Sequence, residues 1–186
     1  TRYFSFEDDE FGSVAPKGFT TVDADHKATV QPLMINYPNI GNAYAYIVIN
    51  QQPEPEGADW RNIYPRSGDQ LLATMATADG TEAVDWIISD QMTARNDAKF
   101  RFYAKSYDGD NTYHPWAYLT VLVSTTDNAV SSFTPLSGFT SVQVPHKNNN
   151  DSQTSWTEFD VDLSAYAGQK IYIAVRNNLS LIHISE

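Results

Sequence analysis

Two aspartates one residue apart, Asp23 and Asp25, offer hard carboxylate oxygens at a spacing that suits an oxygen-lined cation loop, and calcium is the ion such ligands hold best. A second acidic turn, Asp108-Gly109-Asp110-Asn111, resembles a calcium loop. It departs from the EF-hand pattern, because no third oxygen ligand is followed by glycine and no glutamate stands at the twelfth position; such a run is more often a solvated turn. The other suggestive set is aromatic. Trp60 and Tyr64 stand beside Arg61 and Arg66 in the Pro- and Gly-dense residues 51–69, and Tyr107, Tyr113 and Trp116 flank the acidic turn. Rings beside charged groups stack on sugars while the charges bond the hydroxyls; the same rings can instead pin their own loops to the domain. Both readings stay open for these five residues.

Bond-breaking chemistry finds less support. Two carboxylates about 5–10 Å apart would suffice for glycoside hydrolysis, yet abundance of acids is not a constellation. His26, His114, His146 and His183 form no H-E-x-x-H or comparable spacing. There is no G-x-S-x-G nucleophile turn, no phosphate-cradling glycine loop and no thiol. A non-catalytic role is the expectation.

Strands must position these groups. In residues 156–176, Phe159, Val161 and Leu163 alternate with Glu158, Asp160 and Asp162, and Ile171, Ile173 and Val175 alternate with Lys170, Tyr172 and Ala174. A period of two marks strands with one buried face, and the spacing predicts a strand pair joined by a turn in which Gly168 takes a positive φ. The same alternation predicts strands over residues 3–7, 19–22, 43–50, 71–76, 84–89, 100–105, 117–124 and 139–144. Phe100, Phe102 and Ala104 are expected to face inward, with Arg101, Tyr103 and Lys105 outward; Trp86 is expected in the core. Tyr 11, Phe 9 and Trp 4 in 186 residues, with many Thr, Val and Ser, agree with an all-β chain.

The run DLSAYAGQKIYIAVR at residues 162–176 resembles the signature of the cleaved-adhesin and choice-of-anchor J domains of secreted bacterial proteins. FSFEDD at 4–9, GFTTVDAD at 18–25, DWIIS at 85–89, FRFYAKSYD at 100–108, VLVSTTDN at 121–128 and SFTPL at 132–136 follow in the order of that family's landmarks. The resemblance implies a MAM-like jelly-roll β-sandwich of two antiparallel sheets. It also implies an extracellular or cell-surface adhesion module that binds a glycan or a host or matrix protein within a larger bacterial chain. A structural spacer beside a peptidase or glycosidase domain is the alternative, and a glycosidase-like enzyme a third. Structural calcium near the first strand is a family trait, and carried over residue by residue it falls on Glu7, Asp23 and Asp25, with Asp8 beside them. Where the family carries a longer acidic, Gly-rich stretch, this chain has His26, Lys27 and Ala28.

The resemblance stops near Arg176. Residues 179–186, LSLIHISE, resemble a translated sequencing adapter, as in a metagenomic fragment, so the expected domain is 1–178 with a non-native tail and a sandwich truncated at its C-terminal edge; His183 is given no role. The start, TRYFSFEDD, lacks the regions of a signal peptide and reads as the interior of a longer or processed protein. With 23 Asp+Glu against 12 Lys+Arg, the net charge of −11 opposes nucleic-acid backbones and anionic membrane surfaces and favours cations. Zero cysteines are neutral as to compartment.

Overall fold

The structure, a computed structural model, describes residues 1–31, 36–50, 65–106, 117–145 and 156–179. Eleven strands and two single-turn 3-10 segments make up its regular structure. One layer is a seven-stranded antiparallel sheet built on β1 (Phe19–Asp23), β4 (Ala83–Ser89), β11 (Lys170–Leu179), β7 (Ala117–Ser124) and the two-residue β8 (Thr134–Pro135), in that order. The short strands β5 (Met92–Thr93) and β9 (Val142–Gln143) pair onto β11 and β7. Two further antiparallel pairs complete the fold: β6 (Lys99–Ala104) with β10 (Thr157–Asp162), and β2 (Ile47–Asn50) with β3 (Gln70–Ala73).

Alternation dictates how the layers meet. Leu119, Val121 and Val123 of β7 and Ile171 and Ile173 of β11 point to one face, where they pack on Phe159 and Val161 of β10 and on Phe100 and Phe102 of β6. Phe102 stacks on Phe159 with ring centroids 5.0 Å apart, which ties the β6–β10 pair together on its inner side. Ala45 and Tyr46, leading into β2, pack with Leu72 against Ile87 and Val175. The chain thus shuttles between layers, from β1 to β2–β3, back to β4, out to β6, back to β7, out to β10 and back to β11. This is a two-layer all-β sandwich.

The structure changes some expectations. The strands of residues 156–176 do not pair with each other: β10 pairs β6, and β11 lies between β4 and β7, so the two face one another across the core. Their connection holds a 3-10 turn at Ser164–Tyr166, and Gly168 takes φ +80° as its position requires. Residues 3–7 form no strand. Phe6 sits at φ +63°, and Phe4 and Phe6 pack on Phe19 with centroids 4.6 and 6.1 Å away, so the alternating phenylalanines serve a ring cluster instead of a ladder. β11 continues through Leu179, whose backbone pairs with Ala83 and Ala117.

Candidate functional site: an acidic pocket between the layers

β1 and β4 are in register so that Asp23 lies opposite Asp85, and β11 extends the row with Asn177 opposite Asp85. Directly opposed residues of an antiparallel sheet share a face, so three polar side chains stand in line across three strands on the inner side. After Asp23 the chain bends at Ala24 and Asp25, and His26 follows at φ +56°; the bend brings Asp25 over the same spot. Carboxylate oxygens of Asp23, Asp25 and Asp85 all lie within 4.8 Å of one another.

Each carboxylate is held by what surrounds it. Asp25 accepts the backbone N–H of Lys27 at 2.9 Å on one oxygen and that of Val84 at 2.8 Å on the other, which fastens the β1 turn to β4. Asp23 accepts the N–H of His26 at 3.0 Å. Asp85 is 2% exposed; its Oδ2 accepts the Thr74 hydroxyl at 2.7 Å, while its Oδ1 is buried with no hydrogen-bond partner among the described residues. Behind it, the buried Tyr46 donates its hydroxyl to Asn177 Oδ1 at 2.6 Å.

The electrostatics follow from crowding and burial. Burial pushes the Asp85 carboxyl up to about 8, against the Thr74 hydrogen bond, and the charges of Asp25 and Asp23 push the same way. Asp23 is also raised, first by burial, with the His26 N–H opposing and Asp25 adding. A buried acceptor without a donor costs roughly 1–3 kcal/mol. A cation removes that cost and the mutual repulsion together.

The donor set fits calcium. Calcium–oxygen bonds run about 2.3–2.6 Å, so oxygens on opposite sides of one ion stand up to about 5 Å apart, and three carboxylates within 4.8 Å can share it. All three are hard oxygen ligands; Asp23 and Asp25 accept backbone N–H groups and Asp85 the Thr74 hydroxyl, and carboxylate oxygens keep further lone pairs beyond those bonds. Asp85 is buried, while Asp23 and Asp25 are only partly buried.

Of the four expected ligands, the structure brings Asp23 and Asp25 together and adds Asp85. Glu7 is engaged elsewhere: its carboxylate accepts the N–H groups of Asp69 at 3.1 Å and Gln70 at 2.9 Å. Asp8 contributes its backbone carbonyl to Lys17 Nζ at 2.5 Å, and neither acid joins a cluster of three potential ligands among the described residues. Asp85 escaped the sequence reading because it interrupts an apolar run, AVDWIIS, where periodicity shows only a buried strand. An aspartate inside such a run was itself the available signal, since a buried acid needs a partner. Trp60, Tyr64, Tyr107, Tyr113 and Trp116 lie outside the described residues.

The outer side of β6–β10 carries a different arrangement. Cross-strand partners there are Lys99 with Asp162, Arg101 with Asp160 and Tyr103 with Glu158. Arg101 bridges both neighbouring acids, with Nε 2.9 Å from Glu158 Oε1 and a terminal nitrogen 3.2 Å from Asp160 Oδ2. Past this ladder, Arg66 lays its guanidinium over the Tyr103 ring, 3.6 Å from the centroid, and Lys105 Nζ sits 5.1 Å from the Trp156 ring.

No curated protein matches. Among solved structures, the K3 cleaved adhesin domain of Lys-gingipain from Porphyromonas gingivalis W83 is 16% identical, with a TM-score of 0.43 over 92% of this chain and 95% of that one. The Cleaved Adhesin Domain family matches residues 56–181, a stretch running from before β3 to the end of β11 that includes Asp85, though not Asp23 or Asp25. More than half of the sequence lies inside that match, and the chain belongs to the cleaved adhesin domain family.

Proposed function

We propose that this chain is a non-catalytic adhesion module of a larger extracellular or surface protein, that it binds a glycan or a host or matrix protein, and that calcium held by Asp23, Asp25 and Asp85 braces it. The observation that carries the reading is the family match across β3 to β11, which makes the chain an adhesion-type module. The site geometry supports the rest. The central member of the acid cluster is buried and all three acids crowd one spot, an arrangement that favours holding an ion over flanking a sugar. They can hold an ion that ties β1 to β4. That leaves the outer surfaces and loops for recognition, on a scaffold whose strands are fixed by packing.

A panel of immobilised glycans and matrix proteins tests the binding role, with calcium present and the fold verified by circular dichroism. Saturable binding to at least one member is expected. A folded sample that binds none overturns the adhesive reading in favour of a spacer. Measurable hydrolysis of any panel glycan overturns the non-catalytic one.

A further inference from the structure

β1 is one edge of the seven-stranded sheet, and its open side pairs with no strand among the described residues. The ladder shows which backbone groups face out. The Asp90 N–H bonds the Gly18 carbonyl at 3.3 Å before the strand, and the Ala24 N–H bonds the Val84 carbonyl at 3.0 Å after it, so Thr20 and Val22 between them turn to β4. Phe19, Thr21 and Asp23 therefore turn away. The Phe19 N–H curls back to the Pro16 carbonyl at 3.3 Å; the Phe19 carbonyl, both backbone groups of Thr21 and the Asp23 N–H meet no partner among the described residues. Open edges are ordinarily blunted by a charge, a proline or a bulge. Phe19-Thr20-Thr21-Val22 carries no charge and no proline, and its register on β4 has no bulge.

Exposed apolar side chains gather at the same place. Of the four large ones among the described residues, Tyr3, Phe4 and Val14 lie here, and only Val130 lies elsewhere. Phe4 packs on the Phe19 ring with centroids 4.6 Å apart, in room that Gly18 leaves at φ +84°. Val14 is fixed beside Thr21, whose hydroxyl donates to the Val14 carbonyl at 3.2 Å. Charges stand at the ends of the strand: Lys17 before it, Asp23 closing it and Asp25 beyond.

We infer that this edge is a dimer interface, in which a second copy of the chain lays its own β1 antiparallel to the first about a two-fold axis at Thr21 and continues the sheet across both copies. The register is self-complementary. With Thr21 opposite Thr21 of the second copy, the two exchange a pair of hydrogen bonds, and Phe19 comes opposite Asp23, so each Asp23 N–H meets a Phe19 carbonyl. Thr20 falls opposite Val22, a neutral β-branched pair. Val14, beside the residue on the axis, is brought towards its counterpart and out of water. Like charges stay apart, since the two Asp23 residues are four positions from one another along the strands, about 13 Å and beyond the roughly 8 Å screening length of physiological salt. Past the strand ends the same register carries Lys17 of one copy towards Asp25 of the other, an opposite charge.

Sedimentation velocity of the whole chain over a micromolar-to-millimolar series, with amide exchange followed by NMR at both ends of the series, tests this. A monomer–dimer equilibrium is expected, and exchange at Thr21 and Asp23 should slow as dimer forms. Thr21→Pro loses an N–H that faces away from β4 and so spares the ladder; Val14→Asp puts a charge on a side chain 36% exposed in the single copy. Each is expected to weaken the dimer roughly tenfold or more. Val130→Asp, at a site 37% exposed in the 3-10 turn before β8 at the opposite edge of the sheet, should leave it unchanged. Circular dichroism verifies the fold of each variant, and if Thr21→Pro does not fold, Val14→Asp carries the test. The inference is overturned if the chain stays monomeric throughout the series, or if dimer forms without slowing exchange at Thr21 and Asp23. A dimer that Val14→Asp leaves intact, or that Val130→Asp weakens as much, overturns it as well.

Discussion

Asp85 is the residue on which the acidic cluster turns, because of its three acids it is the one both buried and incompletely bonded among the described residues. Replacing it with asparagine keeps the shape and removes the charge. Asp85→Asn is therefore expected to abolish the rise in melting temperature that calcium gives the parent. In chelator at pH 8 the variant should melt no lower than the parent, since a buried charge without a counterion is worse than a neutral amide. Scanning calorimetry of both proteins, with calcium and with chelator, checks it; an undiminished calcium response in the variant removes Asp85 from the site. Glu7 makes a contrasting case. Glu7→Ala should leave the calcium response intact while speeding amide exchange at Asp69 and Gln70 by hydrogen-exchange NMR, because their N–H groups lose an acceptor worth about 1–3 kcal/mol where the acceptor is charged. Sequence placed Asp23 and Asp25 as a pair, since two ligands on one turn are visible as D-x-D. Asp85 lies 60 residues beyond Asp25 and meets it only through the β1–β4 register, which no local pattern encodes.

Elements with one buried face were legible for the same reason that makes them stable. β6, β7, β10 and β11 alternate in sequence and stand where alternation placed them, with Phe100 and Phe102 inward and Arg101 exposed. Which strand pairs with which was not legible: β10 and β11 share a connection but belong to different layers, β10 beside β6 and β11 between β4 and β7, with their apolar faces meeting across the core. Ile171, fully buried where β11 begins, joins the cluster that bonds the layers. Ile171→Ala should cost about 2–5 kcal/mol, read from urea denaturation, since the surrounding side chains belong to two sheets and cannot both collapse into the gap. Residues 3–7 show the limit of periodicity. Alternating phenylalanines predict a strand, but a strand needs a partner edge, and here the rings pack on Phe19.

At the scale of the whole molecule, an excess of eleven negative charges makes the fold more stable when cations bind and when salt screens the repulsion. Calcium should act beyond that general effect. With free calcium at roughly 100 times its dissociation constant, binding to the folded state alone adds about 2.7 kcal/mol, and each kcal/mol raises the melting temperature about 2–4 °C in a chain of this size. The rise should persist against a background of sodium or magnesium salts at matched ionic strength; a rise reproduced by ionic strength alone would reduce calcium to a screening ion.

The row Asp23–Asp85–Asn177 has one more consequence. β1 and β11 both run antiparallel to β4, hence parallel to each other, with β4 between them. A pull on the chain before Phe19 and beyond Leu179 therefore drags these two strands in opposite senses along their own axes. The ladder bonds of β4 lie across that pull and are loaded together in shear, where a hairpin would open one rung at a time. The ion proposed between Asp23 and Asp85 would lie at the end of β1 inside this sheared zone and resist the sliding of β1 along β4.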